Sequence, residues 1–203
     1  SITAFFWFFF TLDSFYFFIY CIKNIGKFNL CLEIGCFEGA TSSYIAENLL
    51  DENGKLICVD PLSDQYLNEN LTEAAINKNN TGWKYFENQY ERFQHTCKEY
   101  LENGKITLIR KLSTECNQEL VEYGNNFDFI YVDGDHRKDT VYKDAVLAYD
   151  VCVNNGYILF DDYQWCFDST DCVHMGVDKF INEYSSKIKV LSKNYQVMIQ
   201  KIS

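Results

Sequence analysis

LEIGCFEGATS, residues 32–42, joins an apolar run of strand length to a glycine-rich turn and then to the start of a helical pattern. A strand, a tight loop and a helix in immediate succession mark a ligand-binding corner of an open α/β sheet, where sites form beyond the carboxyl ends of parallel strands. Two more apolar runs further along end in carboxylates. Phe127–Val132 leads into Asp133-Gly134-Asp135-His136, and Tyr157–Phe160 into Asp161-Asp162-Tyr163. One glycine loop and two acidic strand ends predict a small-molecule site with room for a cofactor and a metal.

The rest of the chain supports that reading. Past Lys27, strand-like and helix-like segments alternate, as βαβ units around a parallel sheet require. The pattern predicts strands over Phe28–Ile34, Lys55–Val59, Lys105–Arg110, Phe127–Val132 and Tyr157–Phe160. A closing hairpin pairs Lys187–Leu191 with Tyr195–Ile202. Helical spacing covers Ala40–Leu50, Trp83–Leu101, Thr114–Tyr123, Thr140–Val153 and Val177–Tyr184, with stops read at Asn53-Gly54, Asn103-Gly104 and Asn155-Gly156. Ser63–Asn80 is polar and partly helical.

Composition sets limits. With 203 residues and 47% hydrophobic content, the chain suits one domain with a full core. A formal charge of −11 leaves no basic face for a phosphate backbone, so nucleic acid is not an expected partner. The same charge disfavours anionic membrane surfaces. Nine cysteines without a C-x-x-C pair fit a reducing, cytoplasmic setting, with Cys31, Cys36 and Cys58 read as buried in or beside central strands and neither disulfides nor a zinc site expected. Residues 1–27 stand apart: Phe5–Phe10 is an almost unbroken aromatic block, and Asp13 interrupts the stretch. With Ser1 in place of an initiator Met, the sequence reads as a fragment. Its opening reads as a packed helix or extension, with a membrane anchor or a boundary artefact as the alternatives. Residues 28–203 form the catalytic domain in this reading.

The loop chemistry narrows the cofactor. A dinucleotide fingerprint needs G-x-G-x-x-G, and Phe37 stands where its second glycine would be. Glu33 favours a cationic ligand group over a phosphate. Asp60, closing the second strand before Pro61, is placed to accept hydrogen bonds from both ribose hydroxyls, or else simply forms a turn. Adenosine, a cationic group and no pyrophosphate together describe S-adenosylmethionine. Asp133, Asp161 and Asp162 would repel one another unless a cation or proton intervened, and hard oxygen donors suit Mg²⁺, Mn²⁺ or Ca²⁺. The alternatives are a helix cap and an Asx turn at Asp135. His136 is either a general base or a residue that orders its loop. His95 and His174 read as surface or packing residues.

In their order and spacing, LEIGCFEGATS, ICVDP, FDFIYVDGDH and GYILFDDY resemble the successive motifs of class I S-adenosylmethionine-dependent methyltransferases. They are most similar to the methyltransferase domain 24 branch, which is related to cation-dependent catechol and caffeoyl-CoA O-methyltransferases and to macrocin-type sugar O-methyltransferases. The resemblance runs from Asn29 to the C-terminus. It implies a Rossmann-like α/β fold, with a seven-stranded, mostly parallel sheet, an antiparallel last strand and helices on both faces. It also implies that Glu33, Gly35, Gly39 and Thr41 surround the methionine moiety, that Asp60 binds ribose and that Ser113 contacts adenine. By the same resemblance Asp133 adjoins the cofactor and, with Asp161 and Asp162, holds the metal, while Asp135 matches a proposed general base of the sugar enzymes; His136, from its place in the loop, is the other candidate base. Arg137 and Asn154-Asn155-Gly156 depart from the family pattern away from the chemistry. The expected reaction is cation-dependent O-methylation of a small hydroxylated acceptor, sugar or phenol-like. A metal-independent N- or carboxyl-methyltransferase and a non-catalytic adenosine-ligand-binding module are the alternatives. The expected partner is a small-molecule acceptor, and the reading leaves room for a homo-oligomer.

Overall fold

A computed structural model describes residues 26–62 and 88–203; the expected N-terminal helix and the polar segment after Leu62 lie outside them. Seven strands form the main sheet: β1 (Phe28–Ile34), β2 (Leu50–Val59), β3 (Ile106–Ile109), β4 (Phe127–Val132), β5 (Cys152–Phe160), β8 (Ile188–Lys193) and β9 (Val197–Lys201). A two-stranded hairpin, β6 (Cys166–Asp168) with β7 (Asp171–Cys172), stands apart from it. The helices are α1 (Ala40–Asn48), α2 (Gln89–Thr96), α3 (Lys98–Glu102), α4 (Asn117–Val121), α5 (Lys138–Val151) and α6 (Val173–Glu183).

The sheet order is β3-β2-β1-β4-β5-β9-β8. Strands β1 to β5 are parallel, and β9 runs antiparallel to β5. The chain therefore winds one way from β1 to β3 and the other way from β4 onward. The crevice between β1 and β4 is the reversal point at which such sheets bind ligands.

Alternation along the strands builds two cores. On β1 and β4, Leu32, Ile34, Ile130 and Val132 pack beneath α5 and α6 with Val141, Ala145, Val177 and Phe180. Cys31, Phe129 and Tyr131 point the other way, to Ile45, Ala46 and Phe93 of α1 and α2. Successive strand side chains point to opposite faces, so runs buried on both sides need helices on both faces.

Two expected stops prove to be strand interior. Both β2 and β5 begin earlier than the pattern predicts, and each carries its Asn-Gly pair inside the strand. Phe28 pairs with Leu50 and Phe127 with Cys152, each followed by a register shift. A Cβ on Gly54 would lie 2.7 Å from the Phe28 carbonyl oxygen, so this glycine permits a close strand approach rather than a turn. The long predicted helix before β3 breaks at Cys97, leaving α2 and α3 as separate pieces.

The absence of disulfides is also corrected. Cys166 and Cys172 face one another across β6 and β7, with Cα atoms 4.0 Å apart and their sulfurs bonded. Six residues of spacing in a polar segment gave no sign of a hairpin that brings them together. Cys31, Cys36, Cys58, Cys97, Cys116 and Cys152 are buried free thiols, the first three as expected. No helix among the described residues is long and apolar enough to cross a membrane.

Candidate active site

Four strand ends lie level, because each residue that follows a strand is tied to its neighbour. Gly35 donates its N–H to the Val59 carbonyl (2.9 Å), Asp60 to Ile109 (3.2 Å), Asp133 to Ile34 (2.8 Å) and Asp161 to Val132 (3.0 Å). The acidic residues read from the sequence therefore converge on one edge of the sheet by backbone pairing alone.

The glycine loop folds directly against β4. A Cβ on Gly35 would stand 2.0 Å from the Asp133 carbonyl oxygen, and one on Gly39 would stand 2.4 Å from Cys97 Sγ. Both glycines have positive φ, so packing and backbone conformation fix them before any ligand contact is considered. Phe37 adopts φ 45°, the left-handed backbone that a glycine takes easily, and its ring is exposed. Thr41 sits half-buried in the first turn of α1.

Asp60 holds this loop. One carboxylate oxygen accepts the N–H groups of Cys36 and Phe37, both at 2.9 Å, and the other accepts that of Leu62 at 2.8 Å. A carboxylate offers about four acceptor positions, so roughly one remains for a ligand.

Glu33 is fully buried beneath α1, and no part of its side chain reaches the crevice surface. Ser42 Oγ donates to it at 2.5 Å and Cys58 Sγ at 3.5 Å, while its second oxygen has no partner. Burial pushes its pKa up to about 8, against the lowering effect of those two hydrogen bonds. Its charge is thus suppressed at neutral pH, unlike the loop carboxylate the sequence suggested. A folded-state pKa raised above the unfolded value means that the native state binds the extra proton. Stability should then fall as pH rises from about 4.5 to about 8, by on the order of a few kcal/mol from this group. Urea unfolding at pH 5 and pH 8 checks this: Glu33→Gln should flatten the loss, and an unchanged pH dependence would exclude Glu33 as its source.

Ser113 donates to Asp144 at 2.5 Å. Asp144 is a buried carboxylate on α5 whose pKa burial raises to about 7, with the Asp135 charge adding to the effect. Its faint sign in the sequence is an acidic residue between Val141 and Ala145 on the inward face of a helix.

The carboxylates beyond β4 and β5 form the centre. Asp133, His136 and Asp162 offer ligand atoms that all lie within 4.8 Å of one another. His136 Nε2 is 2.8 Å from Asp162 Oδ2 and 3.7 Å from Asp133 Oδ1. Asp161 lines the same small cavity as Asp133, Asp135 and His136. Its carboxylate, however, accepts the Tyr131 hydroxyl and, at 2.7 Å, the N–H of Asp162. Of the three carboxylates read as metal ligands, Asp133 and Asp162 thus meet with His136, while Asp161 is engaged by Tyr131 and the Asp162 N–H. Burial, then the charges of Asp161 and Asp162, push Asp133 well above the usual carboxylate range. Asp162 is held low: burial works against it, but hydrogen bonds with His136 and Tyr195 outweigh burial. Asp135 accepts the Arg137 N–H at 3.3 Å in an Asx-type turn and lines the same cavity.

Sequence reasoning missed the aromatic rim. Tyr195 donates to Asp162 from the turn before β9. The Trp165 ring stands edge-on to His136 at 4.9 Å between centroids, and Phe167 packs on Trp165 at 4.2 Å.

A doubly wound sheet with acidic residues one step past its strand ends, gathered at the β1/β4 reversal, defines a class I S-adenosylmethionine-dependent methyltransferase. Residues 32–163 match the methyltransferase-domain family, and the chain belongs to it, in the domain 24 branch. It is 30% identical over 133 residues to uncharacterized protein R132 of Acanthamoeba polyphaga mimivirus, covering 66% of this chain and 51% of that one. The chain thus spans about half the length of that relative. Solved structures share the fold at low identity. The O-methyltransferase TomG of Streptomyces achromogenes, involved in tomaymycin synthesis and crystallised with S-adenosylmethionine, aligns with a TM-score of 0.67 at 13% identity, over 96% of this chain and 82% of that one. The O-methyltransferase of Bacillus cereus, in complex with S-adenosylhomocysteine, aligns over the same shares with a TM-score of 0.64 at 14% identity.

Proposed function

We propose that this chain transfers a methyl group from S-adenosylmethionine to a hydroxyl of a small acceptor, assisted by a divalent cation. The observation that carries the reading is the meeting of Asp133, His136 and Asp162 beside the β1/β4 crevice. The two carboxylates suit Mg²⁺ or Mn²⁺, the imidazole favours Mn²⁺ over Mg²⁺, and the charge crowding that raises Asp133 is the condition a cation relieves. The crevice fits an adenosine cofactor in turn, since Asp60 keeps an open acceptor position and the loop carries no pyrophosphate fingerprint.

Bound there, the cofactor supplies an electrophilic sulfonium methyl, and the cation supplies Lewis acidity toward the acceptor hydroxyl. The protein's own residues do the positioning. Asp60 fixes the loop through three backbone amides, and the exposed edges of Trp165 and Phe167 suit a planar acceptor beside His136. With His136 engaged by the cation, Asp135 takes the proton released as the oxygen attacks; His136 can serve as that base only without a cation. In-line orientation of this kind supplies several kcal/mol of the barrier.

One observation favours a second reading. His136 is already paired with Asp162 at 2.8 Å, a dyad able to accept a proton without any metal. Methyl transfer from labelled S-adenosylmethionine to a panel of catechols and hexoses, with and without excess EDTA, separates the two. Loss of turnover in EDTA, restored by Mn²⁺ or Mg²⁺, supports the cation reading. Full turnover in EDTA would sink it and leave the dyad.

A further inference from the structure

A second group of metal-ligating side chains lies outside the carboxylate centre. Donor atoms of Cys166, Cys172 and His174 all lie within 4.8 Å of one another. Cys166 is exposed on β6, Cys172 is buried at the end of β7, and His174 sits in the first turn of α6. The imidazole is held in place: its ring stands edge-on to Tyr163 at 5.9 Å, and Tyr163 donates its hydroxyl to Asp178 at 3.0 Å. Nearby carboxylates are engaged elsewhere. Asp168 accepts the N–H and hydroxyl of Thr170, both at 2.7 Å, and Asp171 accepts the Lys138 N–H at 2.8 Å. A disulfide needs no third partner, so a fixed imidazole converging on the sulfur pair calls for a separate explanation.

We propose that reduction of the Cys166–Cys172 bond turns this corner into a Zn²⁺ site, with Cys166, Cys172 and His174 as its ligands. The chemistry balances with a dithiol as reductant. Two electrons and two protons pass to the protein sulfurs, the S–S bond breaks into two thiols, and the dithiol leaves as a disulfide. Zn²⁺ then displaces the two thiol protons and binds two thiolates and a neutral imidazole nitrogen. Exposure of Cys166 leaves the fourth tetrahedral position to water. With Zn–S bonds of about 2.3 Å, the sulfurs must part to roughly 3.8 Å. The short hairpin pairs with no strand of the main sheet, so that parting breaks none of the main sheet's ladder bonds. Soft thiolates favour zinc, and of these two centres this one alone offers sulfur, so a sulfur signature distinguishes it from the carboxylate centre. The site also adjoins the catalytic rim: Trp165 precedes Cys166, its carbonyl accepts the Val173 N–H at 3.0 Å, and its ring rests on His136.

The test is a titration of the full chain with Co²⁺, after dithiol reduction and in a non-reducing control. Near-ultraviolet thiolate-to-cobalt absorption reports sulfur ligation, whatever binds at the carboxylates. Reduced wild type should take up one equivalent with this band, and Zn²⁺ should bleach it stoichiometrically. Oxidised wild type and the Cys166→Ser/Cys172→Ser double variant should show none. His174→Ala should weaken binding by about tenfold or more, since even outer-shell partners of a metal act on that scale. The six buried thiols among the described residues, and Cys21 outside them, remain in every sample; burial pushes the six up, away from the thiolate form, and the double variant controls for all seven. Absence of the band in reduced wild type that keeps its circular dichroism would overturn the proposal, as would a band that survives in the double variant. Neither outcome bears on methyl transfer, because cobalt at the carboxylate centre gives no sulfur band.

Discussion

Replacing Asp162 by alanine should cut methyl transfer by about 10²–10⁴-fold, the range for losing a positioned acid–base group, and leave cofactor affinity unchanged. Asp162 accepts hydrogen bonds from Tyr195 and His136 and lies beyond β5, one strand removed from the β1/β4 crevice. Its φ of 49° is left-handed, so alanine adds a backbone cost of about 1–2 kcal/mol. Thermal unfolding must therefore accompany the kinetics. Asparagine tolerates that backbone and keeps a carbonyl oxygen but loses the charge. If a cation sits among these residues, Asp162→Asn still offers it a ligand and should retain much more activity than Asp162→Ala. If the His136–Asp162 dyad works without metal, the asparagine variant should fall as far as the alanine one, because an amide cannot stabilise the imidazolium. Wild-type turnover in Asp162→Ala would remove the residue from the mechanism altogether.

The legible parts of this site are those in which a strand ends and chemistry begins. Phe127–Val132 is predicted to the residue, since its apolar run stops at a carboxylate, and backbone pairing carries Asp133 and Asp161 to the same edge. The Asn-Gly pairs misled because turn chemistry is a local signal. In β2 and β5, pairing to Phe28 and Phe127 overrides it and draws the glycines into the strands. Tyr195 was invisible for a related reason: pairing of Phe160 with Val197 brings it to Asp162, and nothing near Tyr195 in the sequence points there. Asp161 and Asp162 look equivalent as adjacent letters, yet their carboxylates part company, one to Tyr131 and one to His136. The backbone turns left-handed at Asp162, where the two side chains diverge.

Asp60→Ala should raise the dissociation constant for S-adenosylhomocysteine by about 30- to 1,000-fold. That corresponds to about 2–4 kcal/mol, the scale of lost hydrogen bonds to a charged acceptor. Part of the loss is indirect. The carboxylate accepts three backbone N–H groups from Cys36, Phe37 and Leu62, and alanine leaves all three without that acceptor. Loop disorganisation and lost ligand contact can be told apart because Asp60 has roughly one acceptor position left. In the wild type, removing one of the two ribose hydroxyls from the ligand should cost affinity, and removing the other should cost little. In Asp60→Ala, neither deoxy analogue should bind more weakly than the parent ligand. Equal penalties for both analogues in the wild type would mean that the loop amides release the carboxylate on binding. No penalty for either would confine Asp60 to holding the loop, and the ribose would then need another partner.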